Sequence, residues 1–144
     1  MNPSKLFELF DKARQSLKYP SLTIPDGENK AQIKLGIGND PNTIWVSNGY
    51  ARSNPYNKLY GKFIRGYTLF YNYKAPNHID LVLTELCKDP IKYSIIHGQQ
   101  YKHCCFCNTE LTSKASLFVG YGPICAEKWG LPWGEIKDES LENL

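Results

Sequence analysis

Residues 33–71, IKLGIGNDPNTIWVSNGYARSNPYNKLYGKFIRGYTLFY, decide the fold. Ile33, Leu35 and Ile37 alternate with polar or small neighbours, the two-residue period of a strand with one buried face. Ile44-Trp45-Val46 reads as a second strand, followed by a turn at Asn48-Gly49. Leu59 to Ile64, Arg65-Gly66 and residues 67–71 read as a hairpin. Connections this short join antiparallel neighbours, so the expectation is an antiparallel sheet of three or four strands.

On either side of this segment the period changes to that of helices. In residues 4–17, SKLFELFDKARQSL, the residues Leu6, Phe10, Ala13 and Leu17 recur every three or four positions, with Pro3 suited to the first helical position. Residues 19–29 hold two prolines and a glycine and read as a connection. Beyond the hairpin, Ile79, Val82, Leu83 and Leu86 follow helical spacing, with Asn77 available as a cap. Asp89-Pro90 ends that helix and begins another, expected to stop near Gly98. Pro123 and Gly130 bracket a last short helix. The fold class is therefore α+β, with helices packed on an antiparallel sheet.

A chain of 144 residues suits one domain, and 42% apolar with 22% charged residues excludes a disordered or collagen-like chain. No apolar run approaches the roughly 18 residues of a membrane span, and the first residues mix charge with apolar groups, so a cytoplasmic location is expected. The last ten residues, EIKDESLENL, hold four of the 14 acidic side chains and one of the 17 basic ones. Residues 1–134 thus carry 16 basic against 10 acidic groups, a mildly basic body with an acidic tail. The expected organisation is an α+β body over 1–100, a cysteine module over 101–134 and a mobile tail over 135–144.

Four of the five cysteines follow residue 103, in HCCFCNTELTSKASLFVGYGPICAEKWG. Cys104 and Cys107 form a C-x-x-C pair, whose two thiolates can turn onto one metal ion, and Asn108 tolerates the left-handed backbone such a turn uses. Cys125 falls in the first turn of the last helix, where the helix dipole favours a thiolate. With a short hairpin between them, these elements form a zinc knuckle, hairpin and short-helix module. A structural site wants four ligands, and a second C-x-x-C is missing because Lys128 stands three residues after Cys125. His103 is the leading fourth ligand, with Cys87, His97, Cys105, Glu110 and water as alternatives.

Other readings compete with the metal site. A redox C-x-x-C opens a helix, whereas this pair precedes NTELTS, a turn-like run. A nucleophilic Cys125 needs a base, and none of the three histidines has an evident orienting partner. Cysteines also serve as small buried apolar residues. The glycines of GIGN and GYGP lack the spacing and the glycine-lysine-serine sequence of a phosphate loop.

The segment CCFCNTEL…SLFVGYGPICAEKWGLPWG resembles an uncharacterised small cysteine-containing domain widespread in bacteriophage and prophage proteins, over residues 101–134. Its pattern is C-x-x-C, a polar residue, Leu, then Ser, Gly-x-Gly-Pro and Cys. The resemblance implies Cys104, Cys107 and Cys125 as metal ligands and Gly120, Gly122 and Pro123 as the turn presenting the third. It also implies zinc binding and a phage setting, but no activity. Cys105 and His103 depart from the plain three-cysteine pattern and leave the coordination count open.

Between Pro41 and Ile79 there is no acidic residue, and lysines and arginines alternate with aromatics. Basic groups neutralise phosphates and flat rings stack on bases, so Arg52, Lys58, Tyr60, Lys62, Arg65 and Tyr67 are candidates for contact with nucleic acid or another partner. The same aromatics also suit sheet packing, and the tryptophans of KWGLPWG suit a small core beside the metal. The leading expectation is a non-enzymatic phage-type accessory protein with structural zinc and a basic aromatic face for nucleic acid. The alternative is a phage inhibitor of a host or immune-defence protein, with Tyr and Trp as interface anchors.

Overall fold

The computed structural model describes residues 1–26, 31–66, 69–71 and 75–134. Tyr67 and the acidic tail over 135–144 lie outside the described residues. Along the chain run α1 (Ser4–Ala13), β1 (Ser21–Pro25), β2 (Gln32–Ile37), β3 (Thr43–Ser47), β4 (Leu59–Ile64), β5 (Leu69–Tyr71), α2 (His78–Lys88), α3 (Pro90–Tyr101), α4 (Lys114–Val119) and α5 (Pro123–Trp129). Among the described residues the sheet has five strands in sequence order, each antiparallel to the next. The α+β expectation holds.

One sheet face is the core face. Leu22 and Ile24 of β1, Ile33, Leu35 and Ile37 of β2, Ile44 and Val46 of β3 and Phe63 of β4 are buried there. Leu6, Phe10 and Ala13 of α1 and Ile79, Leu83 and Leu86 of α2 belong to the same apolar cluster. The alternate residues Lys34, Trp45 and Lys62 are exposed or half-buried on the other face.

Three local readings need correction. The supposed connection over 19–29 contains β1, whose Leu22 and Ile24 alternate inward and whose Pro25 is tolerated because β1 is an edge strand. Helix α3 runs past Gly98 to Tyr101, ending at Lys102 in a left-handed conformation (φ 57°). A Cβ on Gly98 would stand 2.1 Å from the Cα of Gly120, so the glycine permits backbone contact between α3 and the 120 turn. In place of the hairpin expected between Cys107 and Cys125, residues 114–119 form α4, capped by Ser113, which accepts from the Ser116 N–H at 3.2 Å, and the isolated bridge of His103 with Glu110 flanks the C-x-x-C pair instead.

Helix α5 begins at Pro123 and ends at Gly130 (φ 69°) as its sequence predicts. Its Trp129 is buried, edge-on to Phe10 of α1 at 5.1 Å and stacked on Phe106 at 4.1 Å. The cysteine segment therefore rests on the body through aromatic rings, and no gap separates their cores. No helix of the described residues is long and apolar enough to cross a membrane.

Candidate metal centre and the open sheet face

The knuckle starts where α3 ends. With Lys102 left-handed, the chain reverses, and the Cys104 N–H donates to the Thr109 carbonyl (2.8 Å) while the Asn108 N–H donates to the Cys104 carbonyl (2.9 Å). Asn108 takes φ 62°, the conformation its position after a C-x-x-C pair suggests. The Cys105 N–H donates to the Gly120 carbonyl (3.1 Å), and the Cys105 carbonyl accepts from Thr23 N–H of β1 (2.7 Å). The knuckle is thus bonded both to the turn that launches α5 and to the sheet edge.

This folding brings the sulfurs of Cys104, Cys107 and Cys125 within 4.8 Å of one another, and the three can hold a metal ion. Thiolates about 2.3 Å from a tetrahedral ion lie roughly 3.8 Å apart, so only small side-chain adjustments are required. Cys104 and Cys125 are buried and Cys107 is exposed, its thiol 3.2 Å from the Thr109 hydroxyl. A cavity of about 380 Å³ adjoins all three cysteines and is bordered by Glu110, Ser116 and Trp133.

The thiols share their protons unequally. Hydrogen bonds from Cys105 and then Cys125 hold the Cys104 thiol well below the ordinary cysteine range, against the opposing effect of burial. The Cys125 thiol is pushed well up, first by its hydrogen bond to Cys104 and then by burial. The helix start was expected to favour a thiolate at Cys125; close contact with the Cys104 sulfur outweighs it. A cation among three sulfurs would remove this competition by accepting all of them as thiolates.

Among the described residues none of the fourth-ligand candidates is grouped with the three cysteines, although Cys105 hydrogen-bonds Cys104 and His97 lies near enough to feel its charge. His103 is not grouped with the three cysteines; its Nδ1 lies 3.2 Å from the Asn108 carbonyl, so it braces the knuckle. Cys87 lies beside Thr84 and Lys88 near the start of α1, and burial pushes its thiol up to about 11. His97 is fully buried against Tyr101 at 4.9 Å, and neither ring nitrogen has a hydrogen-bond partner among the described residues. Burial pushes its pKa down to about 4. Cys105 is buried beside Cys104, with burial raising its thiol. Glu110 is exposed at the cavity rim.

The basic aromatic candidates divide between surfaces. Trp45 and Lys62 are cross-strand partners on the open face, with the Lys62 ammonium 5.1 Å from the Trp45 ring centroid. Lys58 and Arg52 are exposed in the segment between β3 and β4. Asn48 organises that segment: its Nδ2 donates to the Tyr56 carbonyl (2.7 Å) and its Oδ1 accepts from Lys58 N–H (3.0 Å). Tyr60 is mostly buried, where the β3–β4 register slips beyond Val46. Arg65 is not with this group. Its guanidinium makes a two-pronged pair with Asp11 of α1 (2.7 and 3.0 Å) and lies 4.5 Å from the Phe7 ring centroid, on the helix side. Lys34, which the sequence reading did not single out, does belong to the open face; its alternation with Ile33 and Leu35 was the available signal.

Residues 97–130 match the model of a family of unknown function (DUF6011), a span that contains all three clustered cysteines and the Gly120–Pro123 turn. No curated protein and no solved structure matches the chain.

Proposed function

We propose that this chain is a non-enzymatic accessory protein that binds one zinc ion as a structural element and contacts single-stranded nucleic acid with its open sheet face. Three thiolates select a soft or borderline ion over magnesium or calcium, and zinc has no redox chemistry that would oxidise them. The thiols are all free, which agrees with a reducing compartment such as a cytoplasm. The phage setting belongs to this proposal through the resemblance of residues 101–134.

The observation that carries the nucleic-acid reading is the pairing of Trp45 with Lys62 on a face that also presents Lys34. Ring and ammonium side by side suit a base and its phosphate. Exposed Tyr50 and Tyr56 extend the aromatic surface. An inhibitor that docks on a host protein would use the same rings but depend less on salt.

The test combines native mass spectrometry with anisotropy titrations of a labelled ten-nucleotide oligothymidylate across a salt series. One zinc per chain and an affinity that falls steeply with salt are expected, with Lys62→Gln lowering the salt slope by about one. Metal-free protein with reactive thiols would overturn the zinc reading, and salt-insensitive or absent oligonucleotide binding would overturn the nucleic-acid reading.

A further inference from the structure

A cleft of about 640 Å³ lies at one end of the open sheet face, between the β3–β4 segment and the knuckle. Thr23, Lys34, Tyr50, Lys58 and Tyr60 border it from the sheet side, and Asn108 borders it from the knuckle side. Asp26 also reaches it, buried and with His78 Nε2 at 3.6 Å.

Two features tie this cleft to the metal centre. Asn108 directly follows Cys107, and its backbone is held on both sides, N–H on the Cys104 carbonyl (2.9 Å) and carbonyl facing His103 Nδ1 (3.2 Å). Thr23, on the adjoining edge, is bonded through its N–H to Cys105, between the two knuckle ligands. An ion joining Cys104 and Cys107 would therefore fix the wall on which Asn108 sits.

We propose that this cleft is a nucleotide subsite of the nucleic-acid surface, with Lys34 and Lys58 facing a phosphate, Tyr50 stacking on a base and the Asn108 amide hydrogen-bonding a base edge. The proposal rests on the nucleic-acid reading above and adds a consequence to it. A strand seated against Asn108 favours the closed knuckle, and the ion that closes the knuckle favours the strand. Thermodynamic linkage then requires each to raise the affinity for the other by the same factor.

The experiment uses the full zinc-loaded chain and the same oligothymidylate. Zinc transfer to a chromophoric chelator is followed with and without saturating oligonucleotide, and oligonucleotide titrations are repeated with Asn108→Gly, which keeps the left-handed backbone and deletes the amide. The expected result is a several-fold higher zinc affinity in the presence of the strand. For Asn108→Gly, about a tenfold loss of strand affinity at full zinc content is expected, in the range of one lost base contact. Zinc transfer unaffected by the strand would overturn the linkage whether or not the variant folds. Strand affinity unchanged in a zinc-replete Asn108→Gly protein would overturn the subsite, and in both cases the open-face reading survives. Absence of binding by the wild-type chain overturns the nucleic-acid reading and this inference together.

Discussion

The interior of the sheet and the interior of the knuckle are built from different materials. Under the sheet, Leu22, Ile24, Ile33, Leu35, Ile44 and Phe63 meet Leu6, Phe10, Ile79 and Leu83, all fully buried and all without a polar atom in the side chain. Such a core is stabilised by the area it removes from water and needs no ligand. In the cysteine segment, the thiols of Cys104, Cys105 and Cys125 are buried beside a smaller apolar set that includes Leu111, Val119 and Ala126, and the sulfurs compete for protons. The aromatic shelf of Phe106, Tyr121 and Trp129, the Thr23 N–H bond to the Cys105 carbonyl and the close approach of Gly98 to the 120 turn join this segment to the rest. The sheet should therefore fold on its apolar content, whereas residues 101–134 should depend on the ion that satisfies their sulfurs.

The sharpest way to break this contrast is to remove a sulfur. Cys104→Ala, Cys107→Ala and Cys125→Ala should each release the metal and deprotect residues 101–134 in hydrogen exchange while β2 to β4 stay protected. Structural zinc contributes on the order of 10 kcal/mol or more in small modules, so this is the largest expected effect. Wild-type metal content and melting in all three variants would remove the distinction between the regions. Phe63→Ala is the complementary cut, expected to cost about 3–5 kcal/mol in denaturant titrations with metal present or absent.

Gly98→Ala acts on the junction. Its Cβ would meet backbone and not a flexible side chain, at 2.1 Å from Gly120 Cα, so α3 and the 120 turn must part. Overpacking of this kind costs about 1–3 kcal/mol, and the upper end is expected because Gly120 also receives the Cys105 N–H. A variant melting within a degree of the wild type would show that the two elements separate freely. The same glycine shows where sequence reading reaches its limit. At Gly130 the stop signal was local, a left-handed helix end, and it was legible. At Gly98 the reason is a neighbour 22 residues away, which no periodicity reveals. The alternation in β2, β3 and β4 exposed the sheet, and the C-x-x-C spacing exposed two of the three clustered cysteines. The edge strand β1 was hidden by its bounding prolines, and α4 by the expectation that a zinc module closes with a hairpin.

His97 sharpens the contrast through pH. Burial holds its folded-state pKa near 4 against an ordinary 6.5. Between these values the unfolded chain binds a proton that the folded chain refuses, so stability falls as pH drops from about 6.5 to 4. His97→Phe keeps a ring against Tyr101 and removes the titration. In thermal melts across that range, the wild type should lose more stability than the variant, and identical pH profiles would contradict a neutral buried imidazole.

The smallest effect belongs to Arg65, and it separates the two faces of the sheet. Its place in the sequence puts this residue among the basic aromatic candidates because it falls in the stretch from Pro41 to Ile79, where lysines and arginines alternate with aromatics and no acidic residue intervenes. Its guanidinium instead clamps Asp11 and covers Phe7, with both charged side chains partly exposed at 38% and 48%. A pair that solvent reaches is worth about 0.2–1 kcal/mol, so Arg65→Gln should lower stability by no more than that. Because it lies on the helix side, oligonucleotide affinity and salt slope should stay at wild-type values in Arg65→Gln, in contrast with Lys62→Gln on the open face. Equal losses from the two variants would mean that charge alone drives binding, and that the uncovered face has no special part in it.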